Sequence, residues 1–209
     1  LLKKCEFGDY HELNIIKKFS NKNKLLFVDC GCNYGFYSFY TASLSEQNKV
    51  ISIDASKETL DEFNKNLNIN NFKNINCFNY SVSNSIDENV TFYESKNDWE
   101  SSQTHSNFRL SSEFEIKSIT IDNLLKKYFL GDFIVLIKLD IEGNEINALK
   151  GALEVIKKSE PLIIIEFSKY IFDNQDNINY LKNFLNEYDY AIFDNKNQKK
   201  DLSDIINMI

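Results

Sequence analysis

Hydrophobic positions fall along the chain in short, nearly continuous blocks. Three stand out: LLFVD at 25–29, FIVLIKLD at 133–140 and LIIIEF at 162–167. Each is rich in β-branched or aromatic residues. Runs of that length without polar alternation are how strands buried on both faces of a parallel sheet read. VISID at 50–54 and NINCFNYSV at 74–82 predict two further strands. Between the blocks the spacing lengthens to that of a helix. One helix is expected over 33–45, and an N-terminal helical segment within 1–24. A helix over 56–68 opens on Ser56, a good N-cap, and carries Leu60, Phe63 and Leu67 on one face. Another over 143–158 carries Ile146, Leu149, Leu153 and Ile156, and a last one over 176–188 carries Ile178, Leu181 and Leu185. Strands and helices in alternation build βαβ units. The pattern therefore predicts an α/β fold, a doubly wound and mainly parallel sheet with helices on both faces. Residues 89–94 and 113–119 alternate apolar with polar, as an inserted β-hairpin does. The polar stretch 95–112 between them predicts a long functional loop, and YAIFD at 190–194 a remaining strand of the sheet.

Length and composition narrow the class. The 209 residues suit one domain spanning 1–209. With 43% hydrophobic residues the chain has the apolar surface that a disordered chain lacks. Lys and Arg total 24 against 31 Asp and Glu, a net charge of −7, which argues against a nucleic-acid partner. No apolar run approaches the roughly 20 residues that span a bilayer. No signal-peptide pattern opens the chain, and its start at Leu1 reads as a trimmed or excised domain. Cys5, Cys30, Cys32 and Cys77 fit neither a zinc site nor a Cys-x-x-Cys pair. Cys30 and Cys32 lie too close along a strand end for an unstrained disulfide, so reduced thiols in a cytoplasmic protein are expected.

Three motifs carry chemistry. In LLFVDCGCNYGFYSFY a buried strand runs through Asp29 into a turn holding Gly31 and Gly35 and then into a helix. Such a turn lets a ligand approach bare backbone at a helix start. The spacing is D-x-G-x-x-x-G, with Cys32 where a dinucleotide fingerprint places its second glycine. A pyrophosphate needs that glycine; a nucleoside with an amino-acid tail does not. In VISIDAS, Asp54 ends the second strand, where an acid can accept both ribose hydroxyls of an adenosine. The plainer alternative is a capping or solvated Asp. In LIKLDIEGNEINALKGA, Lys138 and Asp140 share one strand face, and Glu142 follows at the carboxyl edge where such sheets bind ligands. Glu166 ends the next strand in the equivalent place. Here the alternative is an ion pair that only locks strand to loop.

Together with SITIDNLL at 118–125, these motifs resemble the FkbM-type methyltransferase family over roughly 8–167. The resemblance implies a class I, Rossmann-like methyltransferase fold that uses S-adenosylmethionine to methylate hydroxyl groups, often on sugars or polyketides. Carried over by position, Asp29, Gly31, Asn33 and Gly35 match the cofactor loop, and Asp54, with Ala55 beside it, the ribose acid. Tyr80, Ser81 and Val82 match the segment beside adenine. Lys138, Asp140, Glu142 and Gly143 match the family's lysine–aspartate–glutamate–glycine stretch. Cys32 replaces the usual loop Ala and Ser56 a common Pro; neither blocks binding. A sugar hydroxyl is too weak an acid to ionise unaided, so a base or a metal is needed. Asp140 and Lys138 are the catalytic candidates, with His105 on the long loop as an alternative base. Asp140, Glu142 and Glu166 offer oxygen ligands for Mg²⁺ or Mn²⁺. Trp99, Tyr93 and Phe108 are candidates to stack on a sugar ring, and His11 to cover the cofactor. The expected acceptor is a small molecule or glycan. Two other readings stay open: a nicotinamide-dependent oxidoreductase, and a methyltransferase-fold binding module without chemistry. The only Pro, Pro161, leaves no Asn-Pro-Pro-Tyr motif, which excludes the amino-methylating nucleic-acid enzymes that use it.

Overall fold

The structure, a computed structural model, describes residues 10–95, 110–128 and 130–207. Gly8, Trp99, His105 and Phe108 lie outside the described residues, as does most of the loop at 95–112. Helix α1 (Tyr10–Ser20) leads into β1 (Leu25–Cys30), α2 (Phe36–Leu44), β2 (Lys49–Asp54), α3 (Lys57–Asn70) and β3 (Ile75–Asn79). Then come β4 (Ser81–Val82), β5 (Asn89–Ser95), β6 (Leu110–Ile119), α4 (Ile121–Leu125) and a 3₁₀ turn at Leu130–Asp132. The chain continues through β7 (Ile134–Leu139), α5 (Glu145–Lys150), α6 (Leu153–Ser159), β8 (Leu162–Ile165) and α7 (Lys169–Phe172). It ends in α8 (Gln175–Glu187), β9 (Ile192–Phe193), β10 (Lys199–Lys200) and α9 (Leu202–Ile206).

Five strands form one parallel sheet in the order β3-β2-β1-β7-β8. The order reverses direction at β1, with β2 on one side and β7 on the other, which is where ligands enter such sheets. All six residues of β1 are buried. Alternation sends Leu26, Val28 and Cys30 to one face and Leu25 and Phe27 to the other. The first face packs Leu124, Ile146, Leu149, Val155, Ile156, Leu181 and Phe184 of the later helices. The second packs Ile16, Ala42, Leu60 and Phe63 of α1, α2 and α3. Burial on both faces explains why these strands read as unbroken apolar runs. No described helix is long and apolar enough to cross a membrane.

Four expectations need correcting. The strand expected at 74–82 breaks at Tyr80, whose amide donates to the carbonyl of Asp54 (3.2 Å). β3 stays in the main sheet, while β4 joins a second sheet ordered β4-β6-β5 whose β5–β6 arm is the expected antiparallel hairpin. The helix expected at 33–45 begins only at Phe36, because 33–35 form the ligand-side turn. The helix expected at 143–158 divides at Gly151. A Cβ at Gly151 would lie 2.2 Å from the carbonyl oxygen of Ser83, so chain packs where a side chain would stand. Asp122 then restarts the helix as α6, its two oxygens accepting from the amides of Glu154 (3.0 Å) and Val155 (2.9 Å). Finally, residues 190–194 add no strand to the parallel sheet. β9 pairs with β10 alone, around a turn in which the Asp194 carboxylate accepts from the amides of Lys196 and Gln198.

Candidate active site

A cavity of about 590 Å³ opens at the carboxyl ends of β1, β2 and β7, within the size range of small-molecule sites. One side is the turn after β1. Gly31 holds φ +79°, and its amide and that of Cys32 both donate to the carbonyl of Ile53 (2.9 and 3.0 Å). A Cβ on Gly31 would stand 1.8 Å from the backbone oxygen of Asp140, so only glycine lets the turn after β1 meet the end of β7.

Asp54 closes β2 inside this cavity. One carboxylate oxygen accepts from the Asn33 amide (2.9 Å) and the other from the Ser56 amide (2.9 Å). Asn33 reaches this position at φ +47°. Burial pushes the Asp54 carboxyl up to about 6 against these amide bonds, which pull the other way. Asn79 braces the same corner by donating to the carbonyls of Asp54 (3.0 Å) and Ala55 (2.8 Å).

The other side is acidic. Lys138 is buried, lies 4.7 Å from the centre of the Tyr37 ring, and donates to Asp140 at 2.5 Å. The amide of Glu166 donates to the carbonyl of Leu139 (2.9 Å), which sets Glu166 beside Asp140. The two carboxyls hydrogen-bond each other. That bond, then burial and the charges of Asp140 and Glu142, push Glu166 up to about 8. Burial acts to raise Asp140, but its bonds to Glu166 and Lys138 outweigh that and hold it below the usual range. The pair thus holds one proton between its two carboxyls and one negative charge beside Lys138. Burial likewise opposes the charge on Lys138, yet Asp140 and Asp29 more than compensate and raise it. Oxygens of Asp140, Glu142 and Glu166 lie within 4.8 Å of one another.

The sequence-predicted residues divide by placement. Gly31, Asn33, Asp54, Ala55 and Ser81 line this one cavity together with Lys138, Asp140, Glu142 and Glu166. Asp29 and Gly35 do not. Asp29 lies behind the turn at 1% exposure, where one oxygen accepts from the Ser38 hydroxyl (2.6 Å) and the other is buried without a partner. Burial pushes it up to about 6, with Lys138 opposing. Gly35 packs against Phe39 and Phe63. His11 on α1 and Tyr93 on β5 are outside the lining, and Phe92 takes the place expected of Tyr93. The lining also holds aromatic residues that the motifs do not flag, among them Tyr34, Phe36 and Tyr37, of which the first two are partly exposed at the rim. The aromatic run in NYGFYSFY was their signal. Asn144 and Glu145 were also missed, since polar residues at a helix start read as caps.

Comparison with known proteins agrees with the fold. A protein from Streptococcus mutans, assigned as a methyltransferase and solved in complex with SAH, matches over 91% of this chain and 90% of its own. Its TM-score is 0.51 at 11% identity, a likeness of fold. A Clostridium thermocellum protein assigned as an rRNA methylase (18% identity, 87% and 82% covered, TM-score 0.47) is also similar. So is a precorrin-6y C5,15-methyltransferase from Geobacter metallireducens (12%, 92% and 75%, TM-score 0.46). No curated protein matches significantly. The model of the methyltransferase FkbM domain matches residues 29–192, and the chain belongs to that family of S-adenosylmethionine-dependent methyltransferases.

Proposed function

We propose that the chain transfers the methyl group of S-adenosylmethionine to a hydroxyl oxygen of a carbohydrate acceptor, a nucleotide sugar or a surface-glycan precursor. The observation that carries this reading is the union in one cavity of an amide-cradled acid, Asp54, with acidic strand ends at Asp140 and Glu166. The residues fit the cofactor. The backbone of the turn at Gly31–Asn33 lines the cavity beside Asp54, and the Asp54 oxygens keep lone pairs for two ribose hydroxyls. The lining carries Asp54, Asp140, Glu142 and Glu166 against a single cation, Lys138. That balance suits a ligand with a cationic sulfonium. Against a nicotinamide dinucleotide stands Cys32, which occupies the loop position where a bound pyrophosphate needs glycine. The free thiols of Cys30, Cys32 and Cys77 suit a reducing cytoplasm.

When bound, the cofactor supplies an electrophilic methyl group. The chain supplies alignment and a destination for the proton. Aligned reactants can lower a barrier by roughly 7 kcal/mol or more. Asp140, kept ionised by Lys138, accepts the hydroxyl proton as the oxygen is alkylated, with Glu166 hydrogen-bonded behind it. Tyr34 and Phe36 at the rim offer faces for the apolar side of a sugar ring. The carboxyl oxygens of Asp140, Glu142 and Glu166 also fit a hard divalent cation in donor type, with the proton shared by Asp140 and Glu166 given up on binding. Asp140, Glu142 and Glu166 would hold Mg²⁺ or Mn²⁺, which lowers the pKa of a bound hydroxyl.

The test is a panel of nucleotide sugars and neutral glycosides incubated with the methyl donor and read by mass spectrometry for the gain of one methylene unit. A methylated sugar hydroxyl is expected. Calorimetry showing no binding of S-adenosylhomocysteine would overturn the cofactor, and methylation only of nitrogen the acceptor class. Undiminished turnover after EDTA treatment removes the metal.

A further inference from the structure

The loop joining β7 to α5 forms one wall of the cavity through Ile141, Glu142 and Asn144. Its backbone is unusual. Glu142 sits at φ +53° and Gly143 at φ +100°, two successive residues in a region that L side chains avoid. Such a turn persists only where its surroundings over-determine it. Glu145 does so. One carboxylate oxygen accepts from the amides of both Ile141 and Gly143, each at 3.1 Å. The side chain is 1% exposed and its second oxygen is buried without a partner. Burying a carboxylate with an orphaned oxygen is a poor way to stabilise a fold, and an apolar residue would do better. What the arrangement secures is the loop. On the far side Asn144 donates to the carbonyl of Val82 (2.7 Å), tying the loop to the segment beside Ser81. At its start the Asp140 amide donates to the carbonyl of Cys30 (3.2 Å), and the Ile141 side chain would lie 3.3 Å from a Cβ at Gly31.

We infer that Glu145 is a positioning residue for the adenosyl cofactor, clamping the 141–143 turn so that its wall meets the glycine turn at the distance the ligand requires. This rests on the cofactor reading above. Glu145 touches no ligand; it acts through the two amides it holds.

Calorimetry with S-adenosylhomocysteine tests it, at a temperature where circular dichroism shows each variant folded. Glu145→Ala removes the acceptor, and Glu145→Asp keeps the charge on a side chain one methylene too short to reach both amides. Each is expected to weaken binding by about tenfold, or about 1.4 kcal/mol. Glu145→Gln retains an oxygen of the right reach and is expected to bind within about threefold of the wild type. A residue that only supports the fold would lower the melting temperature and leave the affinity of the folded protein unchanged. Wild-type affinity in Glu145→Asp overturns the inference. So does a loss in Glu145→Gln equal to that in Glu145→Ala, since charge would then matter rather than the two amide bonds. If Glu145→Ala does not fold, Glu145→Asp and Glu145→Gln decide. A wild type that binds no S-adenosylhomocysteine removes the cofactor reading itself, an outcome distinct from either of these.

Discussion

Asp54 and Asp140 follow or close parallel strands at the same edge of one sheet, yet their surroundings make them different reagents. Asp54 is held by neutral donors alone, the amides of Asn33 and Ser56. Asp140 is held by the ammonium of Lys138 and by a neighbouring carboxyl, Glu166. Amides fix the direction of a carboxylate without settling its charge, and burial accordingly raises Asp54. An ammonium settles the charge, and Asp140 falls below its ordinary value although burial opposes it. The first arrangement aims an acceptor of hydrogen bonds, which is what the proposed ribose role of Asp54 requires. The second is made for holding negative charge beside a proton. Position in the fold makes an acid available; its donors decide what it does.

The seam between these two regions is Gly31, so the largest effect is expected there. In Gly31→Ala the new methyl must displace the backbone of Asp140, and φ +79° is unfavourable for alanine. Overpacking of about 1–3 kcal/mol plus about 1 kcal/mol of backbone strain should lower the melting temperature and move both acids at once. The expected result is loss of S-adenosylhomocysteine binding beyond about a hundredfold. A variant that binds normally would show that the two regions are not joined at this point.

The next experiment separates them. Asp54→Asn keeps an acceptor on one side but loses the charge that strengthens bonds from hydroxyls, a difference of about 1 kcal/mol or more for each of two bonds. Cofactor affinity should fall by about ten- to a hundredfold. Asp140→Asn should leave that affinity within about threefold and collapse turnover instead, as expected of an interaction made only in the transition state. Equal losses of affinity in the two variants would erase the distinction.

Much of this contrast was legible in the chain. Strands such as Ile134–Leu139 announce themselves because helices cover both faces, and the acids follow or close them where the apolar run stops. What escaped reading depends on contacts distant in sequence. Asp29 belongs to the cofactor motif by its place, but in β1 it shares the face of Leu25 and Phe27 and so turns toward Ser38 of α2. The break at Gly151 is imposed by Ser83, and the restart of α6 by Asp122. Glu145 looks like an ordinary first-turn acid until the positive φ of the preceding pair is known. YAIFD has strand composition, yet Asp194 closes it into a short hairpin before it can extend.

The smallest expected effect is the share of each raised Asp in stability against pH. Burial raises both Asp29 and Asp54 to about 6 in the folded chain, against about 3.9 for an unperturbed Asp. Between those values the folded state binds more protons than the unfolded state. The stability these two groups contribute is therefore complete below about 4 and lost as pH rises through about 6. Asp140 is shifted the other way; its contribution is present above its unfolded value and is lost only on acidification below about 4. From pH 7.5 to 5 each raised Asp should add about 1 kcal/mol, together about 5 °C in melting temperature for a chain of this length. Thermal melts of the ligand-free chain should therefore rise on mild acidification. Glu166, raised to about 8, steepens the same slope from the acidic side, so each Asp is read by difference. Asp29→Asn should remove about 1 kcal/mol of the rise, because Asp29 is sealed behind the turn and answers to no ligand. Saturating S-adenosylhomocysteine should remove a similar amount, since ribose hydroxyls bind the ionised Asp54 and pull its pKa down, and the same linkage makes cofactor affinity rise with pH through about 6. A slope unchanged by the ligand would mean that Asp54 does not meet the ribose. Its amide cradle would then be only a helix-start contact, and the contrast with Asp140 would fail on the Asp54 side.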